Sequence, residues 1–279
     1  MQPKLGIIAG GGQLPQKIIE ACQASRRDYF VIGIKGHALP HILEGTPHCW
    51  ISISKAETGF KVLKAEQVSE VVMIGDVQIP SLIKTLPDFR TLVFFTKLAL
   101  KSLFNFVGDN RLLVQLAKEL EKIGINIIGI HEILDNLLAP EGLLGNVKVP
   151  DSALSDIKLG VASALEHGAR DLGQAVIVKS GKIIIKEGKH GTTQMISDSQ
   201  KTIPNGENGV LVKLKKPNQD RRMDMPTIGP NTILEANKVG LSGVIIQAGE
   251  TIIVDLENVI SVANENGIFV KAINLDQGY

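Results

Sequence analysis

Cysteine is nearly absent from this chain. Cys22 and Cys49 are the only two, and neither has metal-ligand spacing. They build no thiolate metal site, and such sparse usage fits a reducing compartment. An excess of either charge is also missing. Thirty Lys and Arg face 29 Asp and Glu, a formal net charge of +1, so there is no global electrostatic footprint for nucleic acid. Long apolar runs are missing too. No stretch reaches the roughly 18 apolar residues that a membrane-spanning helix needs. The N-terminus passes from Met1-Gln2-Pro3-Lys4 into the short apolar run Leu5 to Ala9, which is too brief for a signal peptide and lacks a cleavage site. No repeat and no low-complexity segment is found. What remains is 279 residues with 44% hydrophobic and 21% charged content. That composition supports sizeable cores, and that length suggests two domains.

Residues 5 to 130 alternate between strand-like and helix-like patterns. Leu5-Gly6-Ile7-Ile8-Ala9, Tyr29 to Ile34, Val71 to Ile74 and Ile125 to Ile130 read as short, continuously apolar strands. Such runs between helical segments predict a parallel sheet covered on both faces. The clearest helix follows Asp109-Asn110, with Leu112, Leu113, Leu116, Ala117, Leu120 and Ile123 on one face and Gly124 just past its end. The pattern is an α/β domain of Rossmann type over residues 1–135. Pro140 and Gly142 break the alternation, so 136–150 reads as a linker. Beyond it, 151–279 reads as an α+β domain, with a helix over Ala153 to His167. Ser180-Gly181 predicts a hairpin joining Ala175–Lys179 to Lys182–Lys186. A second hairpin is expected from Val244–Ile246 to Ile252–Val254 through Gly249.

Three segments suggest chemistry. Gly10-Gly11-Gly12 follows the first strand and opens the first helix, where glycines let a ligand approach the backbone and the helix N-terminus favours anions. Gly10 and Gly12 match the first two glycines of a dinucleotide fingerprint, but Pro15 stands at the third and Lys35-Gly36 supplies no ribose-binding acid. A nucleotide or nucleotide-sugar fits better than a nicotinamide cofactor. The second segment is Gln219-Asp220-Arg221-Arg222-Met223-Asp224-Met225-Pro226-Thr227-Ile228-Gly229, a loop expected to lead into a helix from Asn231 to Val239. If extended, it sets Asp220, Arg222 and Asp224 on one side. Carboxylates suit Mg²⁺ or Mn²⁺, and guanidinium groups grip phosphate; a solvated surface ion cluster is the plainer alternative. The third is Thr91 to Val107. It holds Phe94, Phe95, Phe104 and Phe106, half of the eight phenylalanines, and reads as a core-packed helix or an element that meets acyl chains. His37 and His41 are separated by Pro40, and the remaining histidines form no ligand set.

Leu5 to Pro15, Leu138-Ala139-Pro140-Glu141-Gly142, Gly173-Gln174-Ala175-Val176 and Gln219 to Gly229 occur in that order. Together they resemble the UDP-2,3-diacylglucosamine pyrophosphatases of the I type, from the lipid A pathway. The likeness runs along nearly the whole chain, and the loop ending in Pro226-Thr227-Ile228-Gly229 is its most specific part. The resemblance implies a Rossmann-like N-terminal domain, a distinct C-terminal domain and substrate held between them. It implies a Mg²⁺-dependent (or Mn²⁺-dependent) cytoplasmic enzyme, peripheral at the inner face of the inner membrane. Water would attack the α-phosphorus of UDP-2,3-diacylglucosamine to give UMP and 2,3-diacylglucosamine 1-phosphate (lipid X). Asp224 falls on the family's essential aspartate. Asp220 and Asp224 are the expected metal ligands or general base. Gly10, Gly11, Gly12, Gln13, Arg221, Arg222, Thr192 and Thr227 are the expected substrate-binding residues. Where the family usually reads Glu-Gly-Thr-Asp, this chain has His190-Gly191-Thr192-Thr193, with Glu187 nearby. A non-catalytic glycolipid-binding or carrier protein on the same fold is the alternative, no nucleic acid partner is expected, and the oligomeric state stays open.

Overall fold

A computed structural model describes residues 2–77, 109–202 and 208–276, with the helix alone described for 109–115. The expected Phe-rich element from Thr91 to Val107 lies outside the described residues. The chain forms two compact units. One comprises residues 1–135 and Asp220–Asp224; the other comprises Asn136–Gln219 and Met225–Tyr279.

The first unit is built on β1 (Leu5–Ala9), α1 (Leu14–Ser25), β2 (Tyr29–Ile34), the short α2 (Pro40–Leu43), β3 (His48–Ile51), α3 (Ala56–Ala65), β4 (Glu70–Ile74), α4 (Asp109–Lys122) and β5 (Asn126–Ile127). The strands form one sheet in the order β3-β2-β1-β4-β5, and every pairing is parallel. On the central strand Leu5, Ile7 and Ala9 are fully buried on one face, with Gly6 buried and Ile8 mostly covered on the other. Gly6 is demanded by packing: a Cβ there would lie 2.8 Å from the Leu63 side chain of α3. Strand β3 escapes a sequence reading because it is a partly exposed edge strand, His48-Cys49-Trp50-Ile51, without a continuous apolar run. The apolar stretch from Ile125 yields only the two-residue β5 before a 3₁₀ turn at Ile130–Glu132. Helix α4 ends as expected at Gly124 (φ +83°), with the Ile125 N–H returning to the Leu120 carbonyl at 3.0 Å.

The second unit contains β6 (Gly142–Leu144), α5 (Leu154–Ala169), β7 (Ala175–Lys179), β8 (Lys182–Lys186), α6 (Gly191–Ser199), β9 (Gly209–Lys213), β10 (Thr227–Ile228), α7 (Pro230–Lys238), β11 (Leu241–Gln247), β12 (Ile252–Ile253), α8 (Leu256–Glu265) and β13 (Phe269–Ile273). Six strands make a mixed sheet in the order β6-β13-β11-β9-β7-β8. Its centre, β13-β11-β9, is parallel, and its flanks are antiparallel. The first hairpin forms where Ser180 (φ +50°) and Gly181 (φ +72°) give the left-handed turn that suits strand twist. The carboxylate of buried Asp156 caps it, accepting the Ser180 and Gly181 N–H groups at 2.8 and 2.6 Å.

The second expected hairpin does not form. Strand β11 pairs in parallel with β9 and β13, and β12 pairs in parallel with β10. Leu241 and the Val244-Ile245-Ile246 run are buried, and β11 lies inside the sheet between β9 and β13. Helix α5 covers one face; Gly160 lets it approach, since a Cβ there would lie 2.5 Å from the Val212 side chain. Helices α7 and α8 contribute Ile233, Ala236, Val259 and Ala263 to the core on the other.

Candidate functional site

The segment Asp220–Asp224 is a tight turn, not the extended loop that alternation would require. The Asp220 carbonyl accepts the Met223 N–H at 3.0 Å and the Asp224 N–H at 3.1 Å. Its side chain reaches forward to the Arg222 N–H at 3.0 Å, the local bond by which aspartate favours turns. The Arg222 guanidinium then grips the Asp220 carboxylate, with Nη2–Oδ2 at 2.8 Å and Nε–Oδ1 at 3.1 Å. Its Nη1 donates to Glu121 of α4 at 3.1 Å. Hydrogen bonding from Arg222 holds the Asp220 carboxyl below the usual carboxylate range, and the same pairing raises the guanidinium. Met223 is buried in the core cluster that contains Ala117 and Leu120 of α4 and Ile125 beyond it. Asp224 follows, half-buried.

In the same unit, the glycine loop is folded against the exit of β4. Gly10 donates to the Ile74 carbonyl at 2.8 Å, and Gly11 both donates to and accepts from the Asp76 backbone at 2.8 and 3.0 Å. A Cβ on Gly10 would sit 2.7 Å from backbone oxygens of Gly75 and Asp76. Two of the loop's N–H groups thus serve the protein's own backbone. Gly12, at φ +85°, and Gln13 lead into the N-terminus of α1.

The second unit holds Thr192 and Thr227. The Thr227 hydroxyl donates to the Met225 carbonyl at 3.2 Å. Thr192, in the first turn of α6, belongs to a network that sequence reasoning did not assemble. Its hydroxyl donates to the Glu187 carboxylate and accepts from the Lys213 ammonium at 2.9 Å. The other Glu187 oxygen accepts the Gln174 N–H at 2.6 Å, and the Glu187 carbonyl meets His167 Nε2 at 2.6 Å. Glu187 and Lys213 are 6% and 7% exposed, so each needs polar partners, and the Thr192 hydroxyl serves both. The one signal in the sequence is an ionisable residue at the end of each of two strongly apolar stretches, Glu187 two positions past Ile183–Ile185 and Lys213 directly after Val210–Val212.

Among the described residues, no three His, Cys, Asp or Glu side chains cluster closely enough to hold a metal ion alone. A hard cation such as Mg²⁺ is ordinarily held by only one or two carboxylates, with water and substrate phosphates completing its shell. Asp220 and the half-buried Asp224 are the two carboxylates of this segment that would hold one; Arg222 donors already lie on both Asp220 oxygens.

Comparison with known proteins spans the chain. Residues 4–137 match the family described as the LpxI N-terminal domain, and residues 140–271 match the LpxI C-terminal domain. The UDP-2,3-diacylglucosamine pyrophosphatase LpxI of Caulobacter vibrioides is 35% identical over 277 residues, covering 97% of this chain and 98% of its own. Likeness to solved structures is slight. The Bordetella bronchiseptica enzyme WbmG with NAD and UDP shares 13% identity at a TM-score of 0.37, over 99% of this chain and 84% of that one. The biotin carboxylase domain of Hydrogenobacter thermophilus 2-oxoglutarate carboxylase shares 13% at a TM-score of 0.29, over 72% and 41%.

Proposed function

The chain belongs to the LpxI family, and on that premise we propose that it hydrolyses the diphosphate of UDP-2,3-diacylglucosamine. The observation that carries the reading is the end-to-end relationship to the Caulobacter pyrophosphatase, at 35% identity with 97% of this chain covered. Water attacks the α-phosphorus, and the bond from that phosphorus to the bridging oxygen breaks. UMP leaves with the new oxygen, and 2,3-diacylglucosamine 1-phosphate keeps the bridging one.

Asp224 is the acid assigned to the chemistry. Its carboxylate either holds the cation or takes the proton from the attacking water. Mg²⁺ (or Mn²⁺), when bound, supplies charge neutralisation at the diphosphate. Asp220, already bridged to Arg222, acts behind Asp224. Arg221, Gly12 and Gln13 are assigned to the phosphates, with Thr227 and the Thr192 region assigned to the remainder of the substrate. The reading extends to a cytoplasmic protein in peripheral contact with the inner face of the inner membrane, where a doubly acylated substrate is met. Among the described residues no helix is long and apolar enough to cross a membrane.

Incubation with UDP-2,3-diacylglucosamine and Mg²⁺ in ¹⁸O-water tests the reaction. The expected result is labelled UMP, with activity lost to a chelator and restored by Mg²⁺ or Mn²⁺. Label in the sugar phosphate would move the attack to the β-phosphorus, and absence of UMP would remove the assignment. Co-sedimentation with anionic vesicles tests the membrane contact.

A further inference from the structure

The Asp220–Asp224 turn has few bonds of its own, and a single turn held by so few is marginal in water. Two neighbouring residues of α4 supply the rest. Met223, 6% exposed, is buried in the same cluster as Leu120. Arg222 reaches the next residue, Glu121. The guanidinium therefore ties Asp220 inside the turn to a fixed point on α4, using Nε and Nη2 for one partner and Nη1 for the other. A planar fork can hold two carboxylates in a set geometry, whereas a lysine ammonium cannot. Asp224 leaves the turn by an N–H bound to the Asp220 carbonyl at 3.1 Å, so its backbone position is set by how Asp220 is held.

We propose that Glu121, Arg222 and Met223 form a clamp that fixes the turn presenting Asp224, which makes Arg222 a positioning residue and not a ligand of the substrate's phosphates. This rests on the hydrolase reading for its effect on activity, but the clamp itself does not. The Arg222 and Glu121 side chains are 41% and 42% exposed. An ion pair so open to water contributes little to global stability, and its consequence is the placement of the turn.

The test compares Glu121→Ala, Arg222→Ala, Arg222→Lys and the Glu121→Ala/Arg222→Ala double variant. Hydrogen exchange at the Met223 and Asp224 amides is read first, because it needs no substrate. Exchange should rise in all four variants while the thermal melt stays near wild type. Steady-state kinetics should then show kcat falling on the order of 10- to 100-fold with KM nearly unchanged. The double variant should be no worse than Arg222→Ala alone, since without the guanidinium Glu121 has lost its hold on the turn. A raised KM for Arg222→Ala beside a wild-type Glu121→Ala would make Arg222 a phosphate ligand and overturn the clamp, as would unchanged exchange at Met223 and Asp224. Raised exchange in a protein that releases no UMP would leave the clamp standing and remove the hydrolase reading, and a fully active Asp224→Asn would leave both standing and remove only the role given to Asp224.

Discussion

The two polar clusters are made of the same kinds of side chain and differ in their exposure to water. In the first unit, the Arg222 and Glu121 side chains are 41% and 42% exposed and that of Asp220 is 25% exposed, and together they hold a turn. In the second, Glu187 and Lys213 are each under a tenth exposed, and the half-buried Thr192 hydroxyl lies between them. Water screens the first set, so its members are worth little to stability and much to geometry. The second set has lost its hydration, so each member depends on the others. Similar chemistry thus serves placement in one unit and integrity in the other.

The largest expected effect tests whether the exposed cluster serves chemistry. Asp224→Asn preserves shape and removes the charge. UMP release should fall by roughly 10²- to 10⁴-fold, while the denaturation midpoint barely moves. A variant that loses activity only by unfolding would erase the distinction between the clusters.

Breaking the buried network should act in the opposite sense. Lys213→Met removes the buried ammonium that reaches Glu187 through the Thr192 hydroxyl, at a cost of about 3 kcal/mol in chemical denaturation. Adding Glu187→Gln should recover part of that loss, because the stranded charge disappears. A cost under about 1 kcal/mol would mean that water reaches the pair and that the two clusters do not differ in kind.

Thr192→Val asks how much of the buried network runs through one hydroxyl. The valine keeps the shape but can neither donate to Glu187 nor accept from Lys213. A loss of about 1–3 kcal/mol is expected, measured as a shift in urea midpoint at unchanged m-value. No loss would show that the hydroxyl is not what holds the network together.

The smallest effect on stability belongs to Glu121→Ala, less than about 1 kcal/mol. Thermal unfolding checks it, and a larger drop would make the ion pair part of the scaffold.

The periodicities along the chain determined much by themselves. Short apolar runs predicted the parallel strands β1, β2 and β4, because a strand buried on both faces must be apolar along its length. Ser180-Gly181 predicted its hairpin, because the turn needs backbone that few residues adopt. Residues 219 to 229 marked where charge gathers, and their order beside the other motifs pointed to the family. Pairing partners were a different matter. The run Val244–Ile246 reads the same whether its neighbours are parallel or antiparallel, and only its placement between β9 and β13 decided it. Asp220, Arg222 and Asp224 were legible as residues but not as a turn, since that depends on Met223 finding the core beside α4. Glu121 and Arg222 stand a hundred positions apart in the chain, and Glu187, Thr192 and Lys213 sit on separate elements. Local pattern carries no information about such meetings, because they are selected by the packing of whole elements and by the need of each buried charge for a partner.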